Sequence, residues 1–197
     1  MVKRRIKDRW HNSTPEVEER RVIGEKNLLD HASALAYIIW RQALNGAINL
    51  HDEDYRYDDD HQRIAVITEM LAFQIQHADR LCHSFLSDDE RQELIRELCA
   101  KVADQVQDNL TDIAGQGNYR PPFVQLLNER FSQYADFGYN DEEPSFECVR
   151  FFGSMVLDVL GDDNTNRWVI DQIIAIDAQE LSGQISQSVK RLFGRST

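Results

Sequence analysis

LLDHASALAYIIWRQALNGAINL, residues 28–50, is the stretch whose reading decides the fold. Leu28, Ala32, Leu35, Ile39 and Ala43 recur three or four residues apart and form one apolar stripe. Leu29, Ala36, Trp40, Leu44 and Ala47 form a second beside it. A stripe this wide belongs to a helix packed against more than one neighbour. The spacing predicts a helix over about residues 25–50, and a helix with two such stripes calls for a bundle around it.

The same period continues along the chain. A second long helix is predicted over about 60–86, with Ile67, Met70, Leu71, Ala78, Leu81, Cys82 and Phe85 inward. SDDE, residues 87–90, reads as a capping box, Ser87 capping and Glu90 reaching back. It opens a helix to about Ile113. GQGNYRPP, residues 115–122, pairs a glycine stop with a double-proline start and marks a helix over 121–136. FGYNDEEP, 137–144, reads as a loop. The helix ending at Leu160 carries VRFFGSMVLDVL and reads as the central one, because it is apolar on most sides. Gly161 is its stop, and a last helix runs from about Asn164–Asn166 to Phe193, with Gly183 as a point of interruption. Upstream, Thr14-Pro15 reads as a cap and first helical position. No run alternates as a half-buried strand does. The expectation is all-α, a single-domain bundle of six or seven helices around a central apolar helix. A basic arm over 1–13 precedes the helical domain, 14–197, with a subdomain break at 115–122 as the one division to consider.

Composition limits the partners. The chain of 197 residues has a net charge of −12. Residues 1–26 carry eight basic side chains against five acids, and the rest carry 14 against 29. Such a body repels phosphate backbones, so nucleic acid is not an expected partner. The segment KRRIKDRW has charge but no apolar run after it, so it does not read as a signal peptide. No apolar stretch approaches the ~20 residues of a membrane span. The three cysteines, Cys82, Cys99 and Cys148, form no CxxC pair and sit in apolar helical patterns. Free buried thiols of this kind suit a cytoplasmic location.

The chemistry-bearing stretch is HDEDYRYDDDH, residues 51–61. An EF-hand loop starting at Asp52 needs glycine at its sixth position and glutamate at its twelfth; Tyr57 and Arg63 stand there. A DDxxD magnesium motif fails at Gln62. Arg56 and His61 match a loose ribonuclease spacing, but six adjacent carboxylates repel RNA. The stretch reads as a solvated connection, with Asp58–Asp60 at the start of the next helix, where acids meet the positive end of the dipole. Tyr55 and Tyr57 are expected to pin it down.

No Glu-x-x-His pair exists, which removes the di-iron bundle pattern. His77 and His83 point to different sides of their helix. His31, His51-Asp52 and Asp104 follow an order that resembles the HD superfamily of metal-dependent phosphohydrolases. That resemblance implies a divalent metal held by His31, His51, Asp52 and Asp104, activating water. The chain departs from the pattern in two respects: His31 and His51 lie on one predicted helix, about 30 Å apart at 1.5 Å per residue, and the family places its His-Asp pair after an apolar run on a second helix, whereas INLHDED here runs into an acidic loop.

The first functional expectation is therefore a non-enzymatic helical protein that binds another protein or forms a homo-oligomer, without a cofactor. The HD-like hydrolase is the second, and a helical pocket for a small apolar ligand the third.

Overall fold

The computed structural model describes residues 28–140, 142–163 and 165–195. The basic arm, the Thr14-Pro15 helix start and Asn164 lie outside them. Among the described residues, one minimal strand pair accompanies the helices and their connections. Six helices of 15 residues or more are described: α1 (Leu28–Asp52), α2 (Asp60–Cys82), α3 (Asp88–Ala114), α4 (Arg120–Tyr134), α5 (Phe146–Leu160) and α7 (Ala178–Leu192). A one-turn α6 (Val169–Gln172) precedes α7 and is joined to it by a π-helical turn, Ile173–Asp177. Between α4 and α5, Tyr139–Asn140 (β1) pairs antiparallel with Glu143–Pro144 (β2). Two-residue strands are too short for any alternation, so the sequence pattern reads only as a loop there.

The local signals act as the residue types dictate. Ser87 and Glu90 form the full capping box of α3, with the Ser87 N–H donating to Glu90 Oε2 at 3.0 Å. Asp59 caps α2 by accepting from the Gln62 N–H at 2.8 Å. Gly115 and Gly161 end α3 and α5 with φ of +90° and +82°, angles that side-chain-bearing residues rarely adopt. Gly183 does not interrupt α7. The irregularity falls earlier, at the π turn.

The helix enclosed on all sides is α2, rather than Phe146–Leu160. From Val66 to Ala78, α2 is buried without a break, and α1, α3, α4, α5 and α7 all pack on it. In α5, by contrast, Cys148, Phe152, Gly153, Val156 and Leu160 form a single buried stripe, and Phe146 is 61% exposed. One contiguous core results, with Trp40, Phe73, Tyr134 and Phe152 among its largest fully buried side chains. Phe73 stacks on Phe152 at 4.5 Å between ring centroids.

Full enclosure of α2 buries polar side chains, and neighbouring helices answer them. Glu69 is held by a bidentate contact with Arg130 of α4, Nε to Oε2 at 2.7 Å and Nη2 to Oε1 at 2.6 Å. Gln74 donates to the Ile39 carbonyl of α1 at 3.4 Å. His77 meets α7. The loop before α4 is tied to α3 as well. Gln107 Oε1 accepts from the Tyr119 and Arg120 N–H groups at 2.7 and 3.0 Å, and its Nε2 donates to the Gly117 carbonyl at 2.8 Å. Tyr119 itself provides no side-chain cap for α4.

The Glu69–Arg130 pair yields the first prediction. Arg130→Met leaves a buried carboxylate without its partner and is expected to destabilise the fold by about 3–5 kcal/mol. Adding Glu69→Met is expected to recover most of that loss, because the uncompensated charge is then gone. Urea unfolding of the two variants checks it; a double variant no more stable than the single one refutes it.

Candidate functional site

The four residues of the HD-like pattern occupy separate places. His31 and His51 stand near opposite ends of the unbroken α1, about 30 Å apart by helical rise, too far for one ion. His31 is buried with its ring edge-on to Phe193 at 4.4 Å. His51 and Asp52 are exposed at the last turn of α1, where His51 lies near Tyr57, 6.3 Å between ring centroids. Asp104 lies on α3 and pairs with Arg120. Among the described residues, no three His, Cys, Asp or Glu side chains come together as a metal centre.

The acidic connection is held at both ends. The Tyr57 hydroxyl donates to the Ala47 carbonyl at 2.9 Å. Tyr55 is buried. Asn166 clasps Arg56 by its backbone, accepting from the Arg56 N–H at 3.1 Å and donating to its carbonyl at 3.3 Å. The carboxylates around these anchors face water.

Two clefts flank the C-terminal helix. The larger, about 620 Å³, runs between α7 and the corner formed by β2 and the start of α5. Phe146, Pro144, Val149 and Ile174 supply its apolar walls, and Ala178, Ser182, Gly183 and Ser186 its floor. Glu142, Glu143 and Lys190 stand along it, Lys190 Nζ 2.7 Å from Glu142 Oε2.

His77 of α2 lies behind that floor and is 0% exposed. Its Nε2 is 3.1 Å from the Ser182 carbonyl and 3.0 Å from Ser186 Oγ. A carbonyl only accepts, so Nε2 carries the proton and donates to it. Phe73 and Tyr139 lie near-parallel to the ring, at 6.5 and 5.8 Å. Burial lowers the imidazole to about 4, so it is neutral near pH 7. The Ser186–His77 contact does not form a nucleophile–base pair. The nitrogen facing the hydroxyl is already protonated, and Nδ1 has no hydrogen-bond partner to orient the ring.

The smaller cleft, about 220 Å³, lies between α1 and α7. Gln42, Asn45 and Asn49 line it from α1, Asp177 from the π turn, and Glu180 and Gln184 from α7. Asp177 is 3% exposed. Among the described residues its Oδ2 has no hydrogen-bond partner, nor does the buried Gln42 Oε1. Burial, with Glu180 and Glu53 nearby, raises the Asp177 carboxyl to about 6. The sequence does carry a signal for this residue. Ile170, Ile173, Asp177 and Leu181 share one helical phase, which places a carboxylate where the pattern calls for an apolar side chain. Reading the apolar run as core alone passes over it.

Comparison with protein-family models, with characterised protein sequences and with solved structures finds no match. The geometry therefore carries the functional argument alone.

Two of the buried titratable groups, His77 and Asp177, oppose each other with pH. Between about pH 4 and 6.5 the unfolded chain holds a proton on His77 that the fold excludes, so this group's contribution is lost on acidification. Between its ordinary value and about 6, Asp177 keeps a proton in the fold that the unfolded chain releases, so its contribution falls as pH rises. Over pH 4.5–6 the two slopes are expected to offset in the wild type. Asp177→Asn should expose the His77 slope, a loss of about 1.4 kcal/mol per unit of acidification. His77→Phe should give a slope of opposite sign. Denaturant unfolding at several pH values measures both, and parallel curves for wild type and variants refute the assignment.

Proposed function

We propose that the chain is a non-enzymatic, cytoplasmic helical protein whose α5–α7 groove binds a helical segment of another protein. Phe146 carries the reading: a large aromatic side chain 61% exposed at the lip of a groove with apolar and polar walls. Exposed apolar surface lining a cleft, with polar groups at its edge, is characteristic of interaction sites.

Gly183 supports it. A glycine in the interior of an exposed helix face costs about 1 kcal/mol relative to alanine. Among the described residues a Cβ at this position would meet nothing within 4 Å, so packing among them gives no reason for its absence. A bare backbone on the groove floor does admit close approach by an occupant.

Charge favours a partner over a second copy. Copies of a chain with net charge −12 repel one another. Glu143 and the paired Glu142 border the groove. The fitting occupant is an amphipathic helix with an apolar face and basic flanks. The cytoplasm suits the free state of Cys82, Cys99 and Cys148. No helix among the described residues is long and apolar enough to cross a membrane.

A fluorescent 16-residue leucine–lysine amphipathic peptide provides the probe. Fluorescence anisotropy should show saturable binding to the wild type. Phe146→Ser and Gly183→Leu, which remove the lip and fill the floor, should each weaken it at least tenfold. Equal affinity in all three proteins, or light scattering that shows a dimer closing the groove, overturns the reading. Independently, Gly183→Ala should raise stability by about 0.5–1 kcal/mol in urea unfolding.

A further inference from the structure

The cleft between α1 and the π turn has properties that the groove reading does not use. It is small, about 220 Å³, and its side chains are mostly carboxylates and carboxamides. Two of their oxygens, Asp177 Oδ2 and Gln42 Oε1, are buried without a hydrogen-bond donor. Buried acceptors are ordinarily paired, and leaving one unpaired costs free energy. Here two residues from different elements, each carrying an acceptor unpaired among the described residues, line one cleft. Each lacks a donor, and one of them bears the carboxylate charge.

We propose that this cleft is a binding site for a primary ammonium group, carried by a small aliphatic amine or by a lysine side chain. An ammonium supplies three N–H donors and one positive charge on a compact head. Asp177 Oδ2 and Gln42 Oε1 take two of the donors. The carboxamides of Asn45 and Asn49 and the carboxylate of Glu180 lie on the same lining and supply further acceptors. The chain's net negative charge raises the local concentration of cations around such a cleft. Asp177 has the positional role, since it is the last residue of the π turn. π turns are wide irregularities that recur at functional sites.

A quaternary ammonium has the same charge but no donors, which makes it the decisive control. Isothermal titration calorimetry with 1,4-diaminobutane, Nα-acetyl-lysine methylamide, tetramethylammonium and calcium chloride, each at the same ionic strength and neutral pH, forms the test. Diaminobutane is expected to bind at one site per chain. Binding of the capped lysine as well shows that the site also admits a protein side chain, and failure of the lysine alone restricts it to free amines. Tetramethylammonium should not bind. Asp177→Asn and Gln42→Leu should each weaken diaminobutane at least tenfold; both remain folded if urea unfolding stays cooperative. Peptide binding in the α5–α7 groove should persist in both variants, so the two sites fail or succeed separately. The proposal falls if tetramethylammonium matches the diamine, if both variants bind as the wild type does, if calcium binds and no amine does, or if nothing binds.

Discussion

The bundle depends on enclosing α2 completely. A helix buried on one face tolerates polar residues on the other, but α2 has no other face between Val66 and Ala78. Its polar side chains must be answered inside the protein or they oppose folding. Glu69 fixes α4 through Arg130, Gln74 reaches the backbone of α1, and His77 reaches the backbone and Ser186 of α7. Apolar contacts bring these helices together without direction. The polar contacts select the register, since a neighbour displaced by one turn leaves a charge or a ring nitrogen unsatisfied.

The α-class and most helix boundaries were legible because they rest on local rules: an apolar residue every turn, a serine with a glutamate three residues on, a glycine after the last turn. Which helix is innermost was not legible. VRFFGSMVLDVL is more apolar than α2 and reads as central, yet α5 buries one stripe and leaves Phe146 in water. The α2 sequence, with Glu69, Gln74, Gln76 and His77, reads as half polar; its burial depends on partners from distant segments that no local rule reports. The acidic stretch 51–61 was read correctly as an anchored connection, because both its acids at a helix start and its tyrosines act locally. The site residues fared differently. The helical rise already separated His31 from His51, whereas Asp177 was concealed within an isoleucine-rich run that the pattern explains as core.

The buried polar side chains of α2 are answered in part by neighbouring helices: Glu69 through both oxygens, Gln74 and His77 through one nitrogen each, with Gln74 Oε1 and His77 Nδ1 left without a partner among the described residues. Asp177 and Gln42 each keep an oxygen unanswered at the edge of a cleft. Asp177 and Gln42 lie beside the cleft between α1 and the C-terminal rod, where the π turn falls, rather than on the enclosed α2. The same rod presents its other side to the α5 groove, so one helix borders both clefts and His77 braces it from within.

Gln107 gives α3 a second role. By accepting the first N–H groups of α4, it replaces the cap that Tyr119 does not provide. The helix with a complete capping box thereby supplies the cap of a helix whose own N-cap residue provides none. In the folded chain the first turn of α4 is therefore fixed by a side chain of α3, so the two helices share one junction.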